Sequence, residues 1–496
     1  MMPAGLAILA AVLSSLSFSS FNLWPLAWCA FIPLFIALEN KSMRSSLFIA
    51  FLCGLVFWSI CVWWLVHVTL LGQIVLILYL SVYFALFGGI IYLARFIPPV
   101  GRLFFLPAGW VLLEYLRSHL FTGLPWALTG FSQYKNLAVI QVADITGAWG
   151  VSFLVILVNA AFYLLLRKSA GKKIFGITFF LLFLVTGYGW VKLNQPPDRN
   201  TQGRVRISVI QGNIAQELKW DRQQVDFIQE RYEQLSLAAV KDRPDLIIWP
   251  EASVPGLWGR DKQEYDRVFS LAGRLQTEIL TGAVSFSAGD YFNSALLINP
   301  AGSVAASYDK LHLVPFGEYI PLKNVFPFLE TIAPIGDITP GKEYTIFRLR
   351  PALSERPADF GVLICFEDLF PELSREFVKN GAGFLVNITN DAWYKESSAP
   401  YQHFAASVFR CVENRVYLAR AANTGISGII DPAGRVLGMV ADRRGKEIFV
   451  PGYLSGEVCL FAGRRTIYNR YGDYFILLCL LLDIGLAVFY LCRKRG

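Results

Sequence analysis

The chain has 496 residues, 55% of them hydrophobic and 17% charged, with a mean hydropathy of +0.46. That balance excludes an ordinary soluble globular protein, which carries more charge and fewer long apolar runs. The formal charge of +8 does not describe a nucleic-acid binder, because the basic residues sit at the ends of apolar runs and are not interleaved with aromatics.

In chain order, the apolar residues crowd into 1–193 and 472–492. Runs at 4–20, 22–39, 46–66, 72–94, 103–119, 147–166, 174–192 and 472–492 predict a polytopic α-helical bundle of about eight membrane helices. Roughly 17–25 apolar residues cross a hydrocarbon core about 30 Å thick. The first run lacks a basic leader and continues almost directly into the second, so a retained helix is expected rather than a signal peptide. The fifth carries Pro107 and Glu114, and Glu114 is expected to face the bundle and pair with a neighbour such as Arg117.

Basic residues fix an expected orientation. Lys41 and Arg44, Arg95 and Arg102, the group Arg167, Lys168, Lys172 and Lys173, and Arg493, Lys494 and Arg495 all fall on one face if the spans alternate. The positive-inside rule makes that face cytoplasmic, together with both termini. Residues between the seventh and eighth spans then lie outside. The loop 120–146 also lies outside, and Phe121, Leu124, Pro125, Trp126 and nearby Trp149 are expected to anchor the interface.

Residues 200–465 read as a separate α/β domain, long enough to bury its own core. Apolar, β-rich runs at 205–211, 245–251, 278–284, 294–300, 361–366 and 383–389 predict buried strands. Residues 222–241, 262–275, 371–379 and 399–415 predict helices, and SGIIDP, RVLGMV and KEIFV predict closing strands. The expected division is therefore 1–193 with seven spans, 200–465 outside the cytoplasm, and 472–492 as the last span. The eight cysteines form no CxxC pair, and no HExxH, P-loop or EF-hand pattern occurs, so neither metal nor cofactor is expected.

Three segments of this domain carry chemistry. Cys365 ends the apolar strand GVLICF and is followed by Glu367, Asp368 and the helix-opening Pro371. A nucleophile there is presented on a tight turn with backbone N–H groups near a developing oxyanion. The adjacent carboxylates would raise the thiol pKa unless a cation offsets them. Lys310 in YDKLHLVPFGEYIP is a candidate for that cation, with Glu318 eight residues further on, and Glu251 follows a buried strand in IIWPEASVP. Each residue alone is ordinary: a buried cysteine, a surface lysine, a surface or capping carboxylate.

In the order WPE, DKxHLVPFGEY, ICFE, these segments resemble the nitrilase or carbon–nitrogen hydrolase superfamily. That resemblance implies an αββα sandwich with a Glu–Lys–Cys set. The longer runs QGNIAQELKW, HLVPFGEYIP, NDAWYKESSAPYQH, WVLLEYLRS and GLPWALTGFSQ are similar to those of the apolipoprotein N-acyltransferase family along essentially the whole chain. The resemblance implies Glu251 as general base, Lys310 as oxyanion stabiliser and Cys365 as nucleophile. Glu318, Phe366, Glu367, Trp220 and Trp393 fall at supporting or substrate-binding positions. It also implies a phospholipid acyl donor, a diacylated apolipoprotein acceptor, a Cys thioester intermediate and a bacterial inner-membrane location with a periplasmic catalytic domain. Phe366 stands where that family often has Tyr, which removes a hydroxyl, and Tyr394–Lys395 stands where Phe–Gly is common, which bears on loop flexibility. The stretch 325–338 is expected to be a lid dipping toward lipid.

Two other readings compete. One is a membrane-tethered amidase acting on another carbon–nitrogen substrate, for which seven preceding spans are excessive. The other is a transporter or lipid-binding protein, for which Glu114 would be the one clear intramembrane charge.

Overall fold

The structure is a computed structural model that describes residues 2–18, 20–169, 171–195, 203–219, 221–320, 337–350, 357–460 and 465–493. Trp220 and most of the expected lid at 325–338 lie outside the described residues. The chain divides into two compact units, one of 1–195, 397–413 and 466–496, the other of 196–396 and 414–465.

The first unit is helical. Met43–Cys61, Leu70–Ala94, Ala148–Leu166 and Gly171–Asn194 are each long and apolar enough to cross a membrane. The Ser42 and Thr69 side chains cap the first two by accepting from Ser45 N–H and Gly72 N–H, which satisfies donors that a helix start leaves open. Pro99–His119 is also a long helix, while Met2–Leu16 is shorter. The expected span 22–39 is corrected: it forms a 3-10 turn, Trp24–Trp28, and a six-residue helix, Ile32–Ala37. Pro25 and Pro33 stand in the first turns, where a missing N–H is tolerated, and at both places a new helical turn begins. Trp110 fills the centre, edge-on to Phe31, Phe84 and Phe87 at 4.9, 5.1 and 4.8 Å between ring centroids.

Two expectations about the 120–146 loop change. Glu114 is buried, but its Oε1 accepts from Thr129 N–H at 2.6 Å, whereas Arg117 donates to the Leu124 and Trp126 carbonyls at 2.5 and 2.8 Å. Both charges therefore clamp the backbone of a loop that folds back into the unit, where its polar groups need partners. For the same reason Trp126 and Trp149 are buried rather than interfacial, and only Phe121 of the expected anchors is strongly exposed, at 80%.

The helix Ala399–Asn414 lies within the 200–465 range by sequence, yet as far as residue 413 it clusters with the helical unit. Gln402 Oε1 accepts from Trp126 Nε1 at 2.7 Å and Trp64 Nε1 at 3.2 Å, and Gln402 Nε2 donates to the Cys61 carbonyl at 3.0 Å. At the helix's other end Glu413 Oε1 accepts from Ala148 N–H at 3.0 Å and from Arg410 at 3.1 Å.

The second unit holds two sheets. The strands are β1 Arg204–Gln211, β2 Leu246–Ile248, β3 Leu257–Trp258, β4 Glu278–Ser287, β5 Asp290–Asn299, β6 Ser303–Asp309, β7 Phe347–Leu349, β8 Ala358–Ile364, β9 Phe384–Thr389, β10 Tyr417–Ala422, β11 Gly428–Ile430, β12 Val436–Met439 and β13 Gly452–Cys459. One sheet runs β13-β1-β2-β4-β5-β6, with β3 paired to β4, and the other runs β12-β11-β10-β9-β8-β7. β1, β2 and β4 are parallel, as are β8, β9 and β10. The helices Val225–Ala239 and Lys262–Leu275 bury Ile228, Tyr232, Val268 and Leu271 against Ile247, Ile279 and Ile298 of the first sheet. KEIFV is corrected: it is irregular, Phe449 is left-handed at φ +55°, and Gln211 Nε2 holds the Glu447 and Val450 carbonyls at 2.9 Å each. The closing strand is β13, antiparallel to β1.

These contacts generate a stability prediction. Gln402→Leu removes a buried acceptor shared by two indole N–H groups, of which Trp64 keeps the Cys61 carbonyl at 3.2 Å, and losing such an acceptor costs about 1–3 kcal/mol. The variant should therefore unfold at a clearly lower temperature than wild type in the same detergent, read by loss of helical circular dichroism.

Candidate active site

The site is built at the ends of buried strands. After β2 the chain stays on β4: Trp249 N–H donates to the Leu280 carbonyl, Gly282 N–H to Pro250 and Ser253 N–H to Gly282. A Cβ on Gly282 would stand 2.5 Å from Glu251 Cα and 2.6 Å from Ala252 N, so only glycine lets this segment lie so close. Ala252 turns the chain at φ +45°, and Glu251 points into the buried site.

Lys310 follows β6. Its N–H donates to the Asn293 carbonyl on β5 at 2.8 Å and its carbonyl accepts from Gly341 at 2.8 Å. The ammonium, 1% exposed, lies 2.9 Å from both Glu318 oxygens and 3.7 Å from Glu251 Oε1. Asn293 Nδ2 joins the two carboxylates, donating to Glu251 Oε1 and Glu318 Oε1 at 2.7 Å each. Val314 N–H holds Glu318 Oε2 at 2.7 Å. Burial pulls the Lys310 pKa down, but the Glu318 and Glu251 charges outweigh it and hold the ammonium above its ordinary value.

Cys365 closes β8 and opens the 3-10 turn Cys365–Leu369, with its own backbone left-handed at φ +51°. The Phe366 N–H thus stands at the start of a helical turn, where donors lack intrahelical acceptors. Burial pushes the thiol well above its ordinary value and Glu251 adds to this, while Lys310 and a hydrogen bond from Thr389 oppose it. The cysteine rests as a neutral thiol that needs an adjacent base to react. The carboxylates that raise it are Glu251 and Asp391, not the neighbouring Glu367 and Asp368 expected from sequence. Those two have other partners. Glu367 accepts from Tyr308 hydroxyl and the N–H groups of Leu311, His312 and Ile364 at 2.9, 2.7, 3.1 and 2.7 Å. It ties the segment of Lys310 to the turn at Cys365, while burial lifts its carboxyl to about 7. Asp368 pairs with the buried Arg420 at 2.8 Å.

Arg420 was invisible in the sequence as a functional residue. From β10 it donates to Asn387 Oδ1 at 2.7 Å and lies 3.4 Å from Asp391, and Asn387 Nδ2 in turn holds the Leu363 and Cys365 carbonyls at 3.1 and 3.2 Å. Asn293 and Lys219 were also missed. No motif marks Asn293, whose place comes from strand register, whereas Lys219 stands inside the run QGNIAQELKW, from which only Trp220 was singled out.

Of the other expected residues, Phe366 is buried edge-on to Phe370, with ring centroids 5.3 Å apart, and Trp393 is 51% exposed. In the Tyr394–Lys395 loop, Lys395 pairs with Glu217, and Glu396 with Lys446 at 2.8 Å, both at the surface. The Tyr394 hydroxyl is pushed up by burial and then by Cys365, Asp391, Glu251 and Glu318, which makes it a neutral phenol in the field of the site. Among the described residues no cluster of histidine, cysteine and carboxylate could hold a metal ion.

A buried thiol after β8, an ammonium after β6 and two carboxylates, one of them after β2, lie in a nitrilase-type α/β domain, and residues 206–451 match the carbon–nitrogen hydrolase family. Residues 10–161 match the apolipoprotein N-acyltransferase N-terminal domain. The chain is 40% identical to the apolipoprotein N-acyltransferase of Geobacter metallireducens, covering 99% of this chain and 95% of the relative. It is 31% identical to that of Chlorobaculum tepidum, covering 99% and 97%. A solved amidase of the nitrilase superfamily from Nesterenkonia AN1 overlays 58% of this chain and 100% of its own length at 19% identity and a TM-score of 0.40. The chain belongs to the apolipoprotein N-acyltransferase family.

Asn293→Ala should slow acylation of Cys365 about 10- to 100-fold, since it frees both carboxylates from a charge-assisted hydrogen bond. Asn293→Asp should slow it further by adding a third negative charge. Rates of acyl-adduct formation by mass spectrometry check both, with iodoacetamide labelling of Cys365 reporting an intact site.

Proposed function

We propose that the chain transfers an acyl group from a membrane phospholipid to the N-terminal α-amine of a diacylglyceryl-cysteine on an apolipoprotein, the last acylation of bacterial lipoprotein maturation. The observation that carries this reading is that one chain matches the family through both its apolar half and its catalytic half. Lipid substrates give a nitrilase-type domain a reason to be joined to membrane helices.

The chemistry follows from the residues. Glu251 takes the Cys365 proton as sulfur attacks the phospholipid ester carbonyl. Lys310 and the Phe366 N–H stabilise the oxyanion. Its collapse breaks the ester C–O bond, and the leaving alkoxide takes the proton from Glu251, so lysophospholipid departs and the acyl group remains as a thioester. The acceptor amine then attacks the thioester carbonyl and gives its proton to Glu251, and the thiolate leaves and is reprotonated. Glu318 keeps Lys310 charged throughout, and exposed Trp393 and Phe316 offer apolar contact for lipid chains.

The working arrangement is a multi-pass protein of the bacterial inner membrane, with 1–193 and 472–492 as membrane domain, 200–465 as periplasmic catalytic domain, and both termini cytoplasmic. The agreement of the basic loops supports it.

Incubation with phospholipid and no acceptor should leave one hydroxylamine-labile acyl group on Cys365, discharged as amide by a diacylated lipopeptide with a free N-terminal amine. Cys365→Ala should show neither event, and an adduct on Cys411 would refute the mechanism. Glu251→Gln and Lys310→Ala should each fold and lose activity by roughly 10²–10³-fold, as losing an oxyanion donor does. For topology, an impermeant maleimide on intact, outer-membrane-permeabilised cells should label Lys262→Cys and spare Lys172→Cys. The reverse pattern would overturn the orientation.

A further inference from the structure

Lys219 has no role in the chemistry above, yet it is buried beside it. It ends a short segment whose side chains reach three parts of the site. Gln216 Oε1 accepts from Asn390 Nδ2 at 2.7 Å, Glu217 pairs with Lys395, and Lys219 Nζ donates to the Glu251 carbonyl at 2.9 Å. Among the described residues that carbonyl is its one hydrogen-bond acceptor, and no carboxylate lies within ion-pair distance. A buried ammonium without a paired anion is costly, so one kept at this point needs a purpose beyond packing. Its charge acts on Glu251 and on Cys365.

We propose that Lys219 is a positioning residue of the acyl-transfer site: seated on the Glu251 carbonyl, its ammonium holds the base's turn and supplies a second positive charge toward the Cys365 sulfur. The backbone gives it something to hold. Ala252, directly after Glu251, is left-handed without being glycine, a conformation that persists only where surroundings enforce it. The charge count gives it a second task. Glu251 and Glu318 carry one charge more than Lys310 neutralises, and passing the Cys365 proton to Glu251 moves that unbalanced charge onto the sulfur and then the oxyanion, so Lys219 supplies the cation that balances it. Cys365 is faced by Glu251 from the end of β2, Lys310 from the end of β6, Thr389 and Asp391 from the end of β9, Tyr394 from the following loop and Lys219 from its own segment.

The inference rests on Cys365 as nucleophile and Glu251 as base. Burial lowers Lys219 to about 8, with Glu251 and Cys365 opposing, so its charge disappears as pH rises through that value. The full chain in phospholipid–detergent micelles is assayed for acyl-adduct formation between about pH 6 and about pH 10, a range that spans the titration of a depressed lysine. Wild type should show an alkaline limb near 8. Lys219→Met should be roughly 10- to 100-fold slower and lack that limb, as expected for loss of a charged hydrogen bond. Lys219→Arg should recover part of the rate and carry its limb out of range, because arginine does not deprotonate there. A Lys219→Met profile that keeps the limb, at any rate, or that matches wild type throughout, overturns the proposal. Adduct formation in Cys365→Ala would instead overturn the nucleophile assignment beneath it.

Discussion

One constraint governs this site: two carboxylates and a thiol are buried together, and only cations and hydrogen bonds make that tolerable. Two buried carboxylates side by side would normally share a proton. Here Lys310 reaches Glu318 and Glu251, and Asn293 gives each a hydrogen bond from one amide nitrogen. The surrounding architecture keeps that arrangement in place. β5 carries Asn293 beside the start of the lysine's segment, Gly282 lets the base's backbone lie against β4, and Glu367 ties 308–312 to the turn at Ile364. Glu367 is thus a fastening between two sheets, its oxygens held by four protein donors.

The turn at Cys365 depends on a separate buried network. Cys365 sits in a left-handed conformation that costs a non-glycine residue of order 1 kcal/mol or more. Asn387 grips the carbonyls on either side of Ile364, Arg420 grips Asn387, and Asp368 and Asp391 neutralise Arg420. This chain of contacts crosses β8, β9 and β10, so the strain at Cys365 is offset by the register of three strands.

That distinction explains what was legible in the sequence. Glu251, Lys310, Glu318 and Cys365 are ordinary one by one and were readable only because the runs WPE, DKxHLVPFGEY and ICFE, taken in order, resemble a known superfamily. Asn293, Arg420 and Asn387 were not, because each sits in an ordinary-looking strand and acquires its role from which strands lie alongside. The same holds in the helical unit. Hydropathy found the long spans, but it read 22–39 as one helix because it does not register what Pro25 and Pro33 do to hydrogen bonding. It read Trp126 as an interfacial anchor because burial of an indole depends on the partner for its N–H, and Gln402 lies far away in the chain.

Gln402 belongs to the helix Ala399–Asn414, encoded in the middle of the catalytic sequence but clustered with the apolar unit. The consequence is a limit on modularity. The chain looks like a soluble enzyme inserted between membrane anchors, and such a fusion should be separable. Excising 200–465 would carry this helix away from Trp64, Trp126 and the N-terminus of Ala148–Leu166, and would leave Glu413 without the backbone donor it caps. Cutting out 200–465 therefore removes contacts from inside the helical unit itself, so that stretch is not a separable insert.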